Sequence, residues 1–330
     1  MKGIRAWSAM GIVSLFCSLC LGAQEARNGQ ADLNAASAPG PVNFNAIAIL
    51  RWYAANRTTN FSTDIGPEGI AFDGAHLWVA NFSSNNISEL EASDGTSLGN
   101  FSVGSSPVGV AFDGANIWVA NSASNNVTKL RGSDGRTLGT FDVGSSPVAV
   151  AFDGADIWVA NGGSGTVTKV RASDGKVLGT FKVGTGPEGV AFDGSNIWVA
   201  NFGSSNVTKL RASDGKVLGT IGVGANPVGV AFDGTDIWTA NSGSNNVTKL
   251  LASNGKVLGT FNVGKEPEGL AFDGVNVWVA NFGSNNVTKL RASDGTLVGT
   301  FRVGQFPVGV AFDGANIWVT NAGSNTVSKR

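Results

Sequence analysis

Proline recurs at positions 67, 107, 147, 187, 227, 267 and 307, and tryptophan at 78, 118, 158, 198, 238, 278 and 318. Both series keep a spacing of 40 without slippage. A unit this short cannot bury a hydrophobic face alone, so copies must stack and the core must lie between them. The unit 107–146 carries four strand signals, at 108–112, 117–120, 127–131 and 137–143. Each is about five residues, an ordinary strand length. Asp113-Gly114 and Asp134-Gly135 mark hairpin turns, and a Ser/Asn-rich stretch links the middle two strands. Four antiparallel strands per 40 residues predict an all-β propeller with one blade per unit. Composition agrees. Gly is 47 of 330 residues, charged residues are only 14%, and long helix-favouring runs of Ala, Glu, Lys and Leu are absent.

Counting the units gives seven blades. Six are complete from Pro67 onward, and the seventh begins at Pro307 and stops at Arg330. The missing strand is available at the front, because Phe61-Ser62 stands where Phe101-Ser102 stands one unit later. In that register residues 51–330 make seven units of 40. The N-terminal segment is therefore expected to pair with the last blade, which would close the ring and leave no open blade edge. The stretches 45–50 and 325–330 both fit the third strand of that blade, and the sequence leans to the C-terminal copy.

Residues before the repeat read as export machinery. Lys2 and Arg5 form a basic start, 10–21 is apolar, and Leu21-Gly22-Ala23 ends in a small residue suited to signal-peptidase cleavage. The apolar stretch is shorter than the roughly 20 residues a spanning helix needs. Cleavage after Ala23 leaves no membrane span and moves the formal charge from -1 to -3, as two cations and no anions depart. An uncleaved N-terminal anchor is the alternative. Both cysteines, Cys17 and Cys20, leave with the segment, so the mature chain has no disulfide and no thiolate ligand. Residues 24–44 read as a flexible leader rich in Ala, Gly, Asn and Pro. The propeller is expected to occupy 45–330 as a monomer in the periplasm, on the cell surface or outside the cell.

The second strand of unit seven reads Trp318-Val319-Thr320-Asn321, and five of the other six units read WVAN. With N-N-V-T-K-L, V-L-G-T-F-x-V-G and P-x-G-V-A-F-D-G around it, the repeat resembles the YVTN-type β-propeller family over about residues 60–330. That resemblance implies an exported or envelope propeller. It does not imply one activity, since such repeats serve varied binding roles.

Residues able to do chemistry are few. The tryptophans, flanked by Ile or Val, read as packing between sheets rather than as a sugar-stacking set. The Asp of each Phe-Asp-Gly reads as turn chemistry rather than calcium ligation, which needs six or more oxygens at one point. Lys129 and Arg131, with their equivalents 169/171, 209/211 and 289/291, share one side of a strand and read as a solvated rim. No aromatic residue interleaves with them and the chain is acidic, so no nucleic-acid partner is expected. His76 is the only histidine, so no Ser-His-Asp set or histidine-based metal site can be assembled. Propeller lyases of the antibiotic-lactone type use a catalytic histidine that no position here matches. Lactonase-type propellers, which hold a metal with Glu, Asn and Asp at the mouth, stay open as an alternative. No cofactor is expected.

One pattern is not a consequence of the repeat. The residue after the repeat proline is glutamate in units one, four and six, Glu68, Glu188 and Glu268, and valine elsewhere. The residue after the second-strand asparagine is phenylalanine in the same units, Phe82, Phe202 and Phe282. If Phe72 pairs with Leu77, Glu68 falls beside Asn81 and Phe82, at the mouth opposite the Asp-Gly turns. Recent duplication of one blade would also carry both residues together. The expectation is a non-enzymatic binding or scaffold protein that engages a protein or glycan of the cell envelope through this mouth. A lyase or lactonase-type enzyme is the alternative, and a structural surface-layer component is a third reading.

Overall fold

The computed structural model describes residues 58–330; the segments read as export signal and leader, and the stretch 45–50, lie outside the described residues. Twenty-eight strands form seven four-stranded antiparallel sheets, six of them with their strands in chain order. Blade 2 shows the plan, with strands Pro107–Phe112, Asn116–Asn121, Asn126–Arg131 and Thr137–Asp142. First strands line a central channel, and fourth strands form the outer edge. Blade 7 combines Pro307–Phe312, Ile317–Asn321 and Thr326–Lys329 with Thr59–Ser62 as its outermost strand, Phe61 facing Val327. Its third strand is the C-terminal one.

Core residues sit between blades rather than within them. Trp118, Ala120 and Val127 of blade 2 pack on Ile157, Val159 and Val170 of blade 3. Equivalent layers recur at every junction, including Trp318 and Val327 against Leu77, Val79 and Leu90 where blade 7 meets blade 1. Six of the seven repeat tryptophans are fully buried and the seventh, Trp278, nearly so, as the packing reading requires. Each fourth-strand aromatic leans on its blade's tryptophan, as Phe141 does on Trp118 at 5.6 Å between ring centroids. That ring also covers Gly175 in the next blade's turn, where the backbone has φ +76° and a Cβ would collide with it. Glycine is thus fixed there twice, by conformation and by space.

The Asp-Gly turns do more than the sequence indicates. Asp113 Oδ1 accepts hydrogen bonds from the backbone N–H groups of Ala115 and Asn116, and its Oδ2 accepts from Trp118 Nε1 at 2.8 Å. The same indole-to-carboxylate bond occurs in all seven blades. Burial pushes these carboxyls up, yet in Asp73, Asp113, Asp193, Asp273 and Asp313 the converging hydrogen bonds outweigh it and hold the group below the usual range. The turn residue therefore anchors the core tryptophan.

The third-strand lysines correct the sequence reading. Lys129, Lys169, Lys209 and Lys249 are buried, not a solvated rim. Each ammonium lies about 5 Å from the centroid of its blade's tryptophan and donates to a backbone carbonyl of the next blade. The reason is reach. The four-carbon stem crosses the indole, and the charge is met by a carbonyl dipole at the junction. Lys289 of blade 6 is half-buried instead, 3.6 Å from Asp273, and the arginines two residues on stay near the surface, where Arg131, Arg171 and Arg291 pair with the aspartate three residues later.

Candidate functional site

Three consecutive residues from each first strand line the channel, from 68–70 through 308–310, around a cavity of about 280 Å³. The outer tier is Glu68, Val108, Val148, Glu188, Val228, Glu268 and Val308. Glycine (Ala149 in blade 3) forms the middle tier, and Ile, Val or Leu the inner one. Glycine there lets adjacent first strands approach closely, since a Cβ on Gly229 would strike the Glu268 carbonyl.

A bulge in the first strand aims the glutamates. Pro67 pairs with Asn81 and Ile70 with Val79, so two residues, Glu68 and Gly69, stand against Ala80 alone. Phe72 does pair with Leu77 as expected, but the extra residue shifts the pairing beyond it. Proline, not Glu68, faces Asn81, and Glu68 turns into the channel. Phe82, Phe202 and Phe282 do not line the cavity. They begin the loops after the second strand, where the Phe82 N–H donates to the Gly66 carbonyl and that of Phe282 to Glu266. Phe82 and Phe202 are exposed, whereas Phe282 stacks on Phe306 with centroids 4.9 Å apart. Glutamates and phenylalanines thus share one end of the propeller, acids inside and aromatics on the surrounding loops. Sequence reading missed Phe306 and Ile65, both exposed at this end. Phe306 holds φ +53°, where other blades place Gly, Ser, Asn or Glu. Its departure from the repeat was the available signal.

The electrostatics of the channel are unusual. No cationic residue lines it. Among the described residues, the Glu68, Glu188 and Glu268 side chains have no hydrogen-bond or ion-pair partner. Burial pushes Glu68 and Glu188 up to about 7. Glu268 rises to about 8 through burial and then repulsion from Glu68, Glu188 and Glu266. Near neutral pH the trio therefore exists partly as neutral acids, and a cation arriving there would ionise them and release protons.

The histidine and the second-strand asparagines lie away from the channel lining. His76 sits at the opposite end, with Nδ1 3.3 Å from both Asp73 Oδ2 and Glu89 Oε1. The asparagines at the end of the second strand are buried, Asn81 Nδ2 donating to Asn86 Oδ1 and Ser88 Oγ at 2.8 Å each. Among the described residues, no three of His, Cys, Asp and Glu are placed to hold a metal ion. Neither asparagine nor aspartate lines the channel beside the three glutamates. No helix among the described residues is long and apolar enough to cross a membrane.

No family model and no curated protein sequence matches the chain. Among solved structures it is similar to Kuenenia stuttgartiensis hydrazine synthase, with TM-score 0.72 and 21% identity over 82% of this chain and 97% of that one. A streptogramin B lyase gives TM-score 0.72 at 18% identity, over 83% and 96% of the two chains. The virginiamycin B lyase from Staphylococcus aureus gives 0.71 at 18%, over 83% and 98%. What these proteins share at such identities is the fold.

Proposed function

We propose that this chain is an exported, non-catalytic binding or scaffold propeller of the YVTN type that takes its ligand at the glutamate end of the channel. The observation that carries this reading is the set of three unpartnered carboxyls in an otherwise apolar tier. Their places in blades 1, 4 and 6 make the ring lopsided, so it can hold a ligand in one orientation. Exposed aromatic side chains on the loops around it would contact an apolar part of the same ligand, each burial contributing about 1.5–3 kcal/mol. The ligand class is therefore one with cationic and apolar parts, carried by a protein or glycan of the envelope. A lyase or lactonase-type activity finds no support in the geometry, since the histidine is remote and the asparagines are engaged in the core.

The test is retention of partners from envelope extract on mature protein, compared with Glu68→Val/Glu188→Val/Glu268→Val. Valine is what the other four blades carry, so the fold is expected to survive. Loss of the retained partner in the variant is the expected result. Equal retention by both proteins would refute the channel as the site.

A further inference from the structure

Seven copies of one unit allow each departure to be judged against six internal references, and blade 3 departs in the loop between its second and third strands. That loop reads Gly162-Gly163-Ser164-Gly165. Elsewhere the equivalent of Gly162 is Phe, Ser or Ala, and the equivalent of Gly165 is asparagine in five blades and Ser205 in blade 4. The asparagine has a task. It holds φ 53–57°, and its Oδ1 accepts the backbone N–H of the residue just before the next blade's proline. Ser106 donates to Asn85, Ser146 to Asn125, Glu266 to Asn245 and Phe306 to Asn285, each at 2.8 Å, and Gly66 to Asn325 at 3.0 Å. Asn226 reaches the Ser205 hydroxyl at 3.4 Å. Gly165 keeps the backbone, at φ +62°, and has no side chain to offer. Of the seven equivalent N–H groups, that of Gly186 alone has no acceptor among the described residues.

Space replaces the side chain. Gly165 and Gly186 line a cleft of about 560 Å³ between blades 3 and 4, which shares no residue with the channel lining. Thr208 lines it too and is only 2% exposed. Its Oγ1 accepts from Asn201 Nδ2 at 2.9 Å, and its own O–H has no acceptor among the described residues. Ser204 Oγ accepts the Thr185 N–H at 3.0 Å. Lys182 is the one charged residue in the lining, exposed and without an ion pair among the described residues. Val183 and Val217 add apolar wall. The Gly186 N–H, the Thr208 hydroxyl and the Lys182 ammonium are all donors, so the chemistry of the cleft calls for acceptor oxygens.

We propose that the cleft between blades 3 and 4 binds a carboxylated sugar, a hexuronate unit of a polysaccharide, with a carboxylate oxygen on the Gly186 N–H where asparagine Oδ1 sits at five other junctions. The glycine-rich loop alone would not make a site; what points to the ligand is an N–H that the six other junctions satisfy, opening onto a cavity that also holds a buried hydroxyl donor. A carboxylate oxygen has the trigonal acceptor geometry of the carboxamide oxygen it stands in for, and its charge strengthens the bond. Lys182 supplies the countercharge. The cleft volume falls in the range of about 300–1,000 Å³ usual for ligand pockets. Hydroxyls beside Val183 and Val217 suit the hydroxyl groups and C–H face of a sugar ring, which a bare small anion would leave without contacts. The cleft is separate from the channel, so this inference stands whether or not the channel glutamates bind a ligand.

The experiment is calorimetric titration of the mature chain at neutral pH with trigalacturonate, with the neutral galactose trisaccharide, and with a capped Gly-Asp-Gly peptide. Trigalacturonate is expected to bind saturably at one site. The neutral sugar should bind weaker by about tenfold or more, the worth of a charge-assisted hydrogen bond, and the peptide likewise. Gly165→Asn restores the residue of five other blades at a φ that asparagine already holds in them; its Cβ would lie 3.3 Å from the Gly184 carbonyl oxygen, which a small shift relieves. This variant should keep or raise the Tm and weaken trigalacturonate binding by about tenfold or more. Lys182→Ser, which installs the residue blade 1 carries at Ser102, should also weaken it and tests the site even if Gly165→Asn fails to fold. No saturable binding by the wild type, equal binding of the neutral sugar or of the peptide, or undiminished binding by folded Gly165→Asn or by Lys182→Ser would each overturn the proposal.

Discussion

Replacing Glu268 with valine isolates the energetic cost of the channel acids. The Glu268 carboxyl is moved from the ordinary 4.5 to about 8, first by burial and then by Glu68, Glu188 and Glu266. Moving the carboxyl that far corresponds to about 5 kcal/mol against the ionised form. The group is half-buried rather than sealed, and water screening leaves roughly 2–3 kcal/mol as the working figure. An acid whose folded pKa is raised contributes stability that is fully present below about 4.5. That stability is lost as pH climbs through about 8. Wild-type protein should therefore lose stability from pH 5 to pH 9, and Glu268→Val should lose much less. Repulsion is mutual, so removing Glu268 also eases ionisation of Glu68 and Glu188 and flattens the profile further. At about 2–4 °C per kcal/mol for a domain of this size, the two melting curves should nearly coincide at pH 5 and separate by about 5–10 °C at pH 9. Scanning calorimetry of both proteins over that range checks it. Parallel pH profiles would show that the carboxyls ionise without penalty and that the channel is an ordinary solvated surface.

The blade junctions supply two more tests. Lys129→Met keeps the stem over Trp118 but leaves the Ala172 carbonyl without its donor, so a loss of about 2 kcal/mol is expected, read as a lower urea midpoint; an unchanged midpoint would mean water replaces the ammonium at no cost. Deleting residues 58–63 strips the outermost strand from the blade begun at Pro307 and uncovers Trp318, which Phe61 now contacts at 5.5 Å between ring centroids. A sharp fall in Tm is expected, and an unaltered melting curve would show that ring closure does not depend on this strand.

Blade number, strand positions and the burial of the tryptophans were legible because every copy repeats them and alternation carries the information. The direction of Glu68 was not, because a bulge is one extra residue in a register, and P-E-G-I reads the same whether paired evenly or not. Lys129 was misread because strand alternation tells which side a residue takes, not whether the next blade covers that side. The indole-to-aspartate bond was invisible for a related reason. Asp113 and Trp118 lie five residues apart across a hairpin, and the turn alone already accounted for the aspartate.

What a repeat hides in its consensus it discloses in its exceptions. A position uniform in seven blades is explained by the junction it builds, and the structure supplies that explanation for Asp113 and Trp118 and their equivalents. A position uniform in six is a measurement with six controls. Thr320 shows that such exceptions have physical consequences. Blades 1 to 6 place alanine there, whereas Thr320 Oγ1 accepts from the Gly309 N–H at 2.7 Å and donates to the Glu68 carbonyl, tying the last blade to the first beside the channel. That exception falls where the ring must join itself, and it fixes the backbone from which Glu68 projects. Glu89 with His76 falls where no joining is needed, so closure cannot explain it. A buried acid that replaces a junction-spanning base, without another base to take over the carbonyl contact, lowers stability in a part of the fold the other blades show how to stabilise.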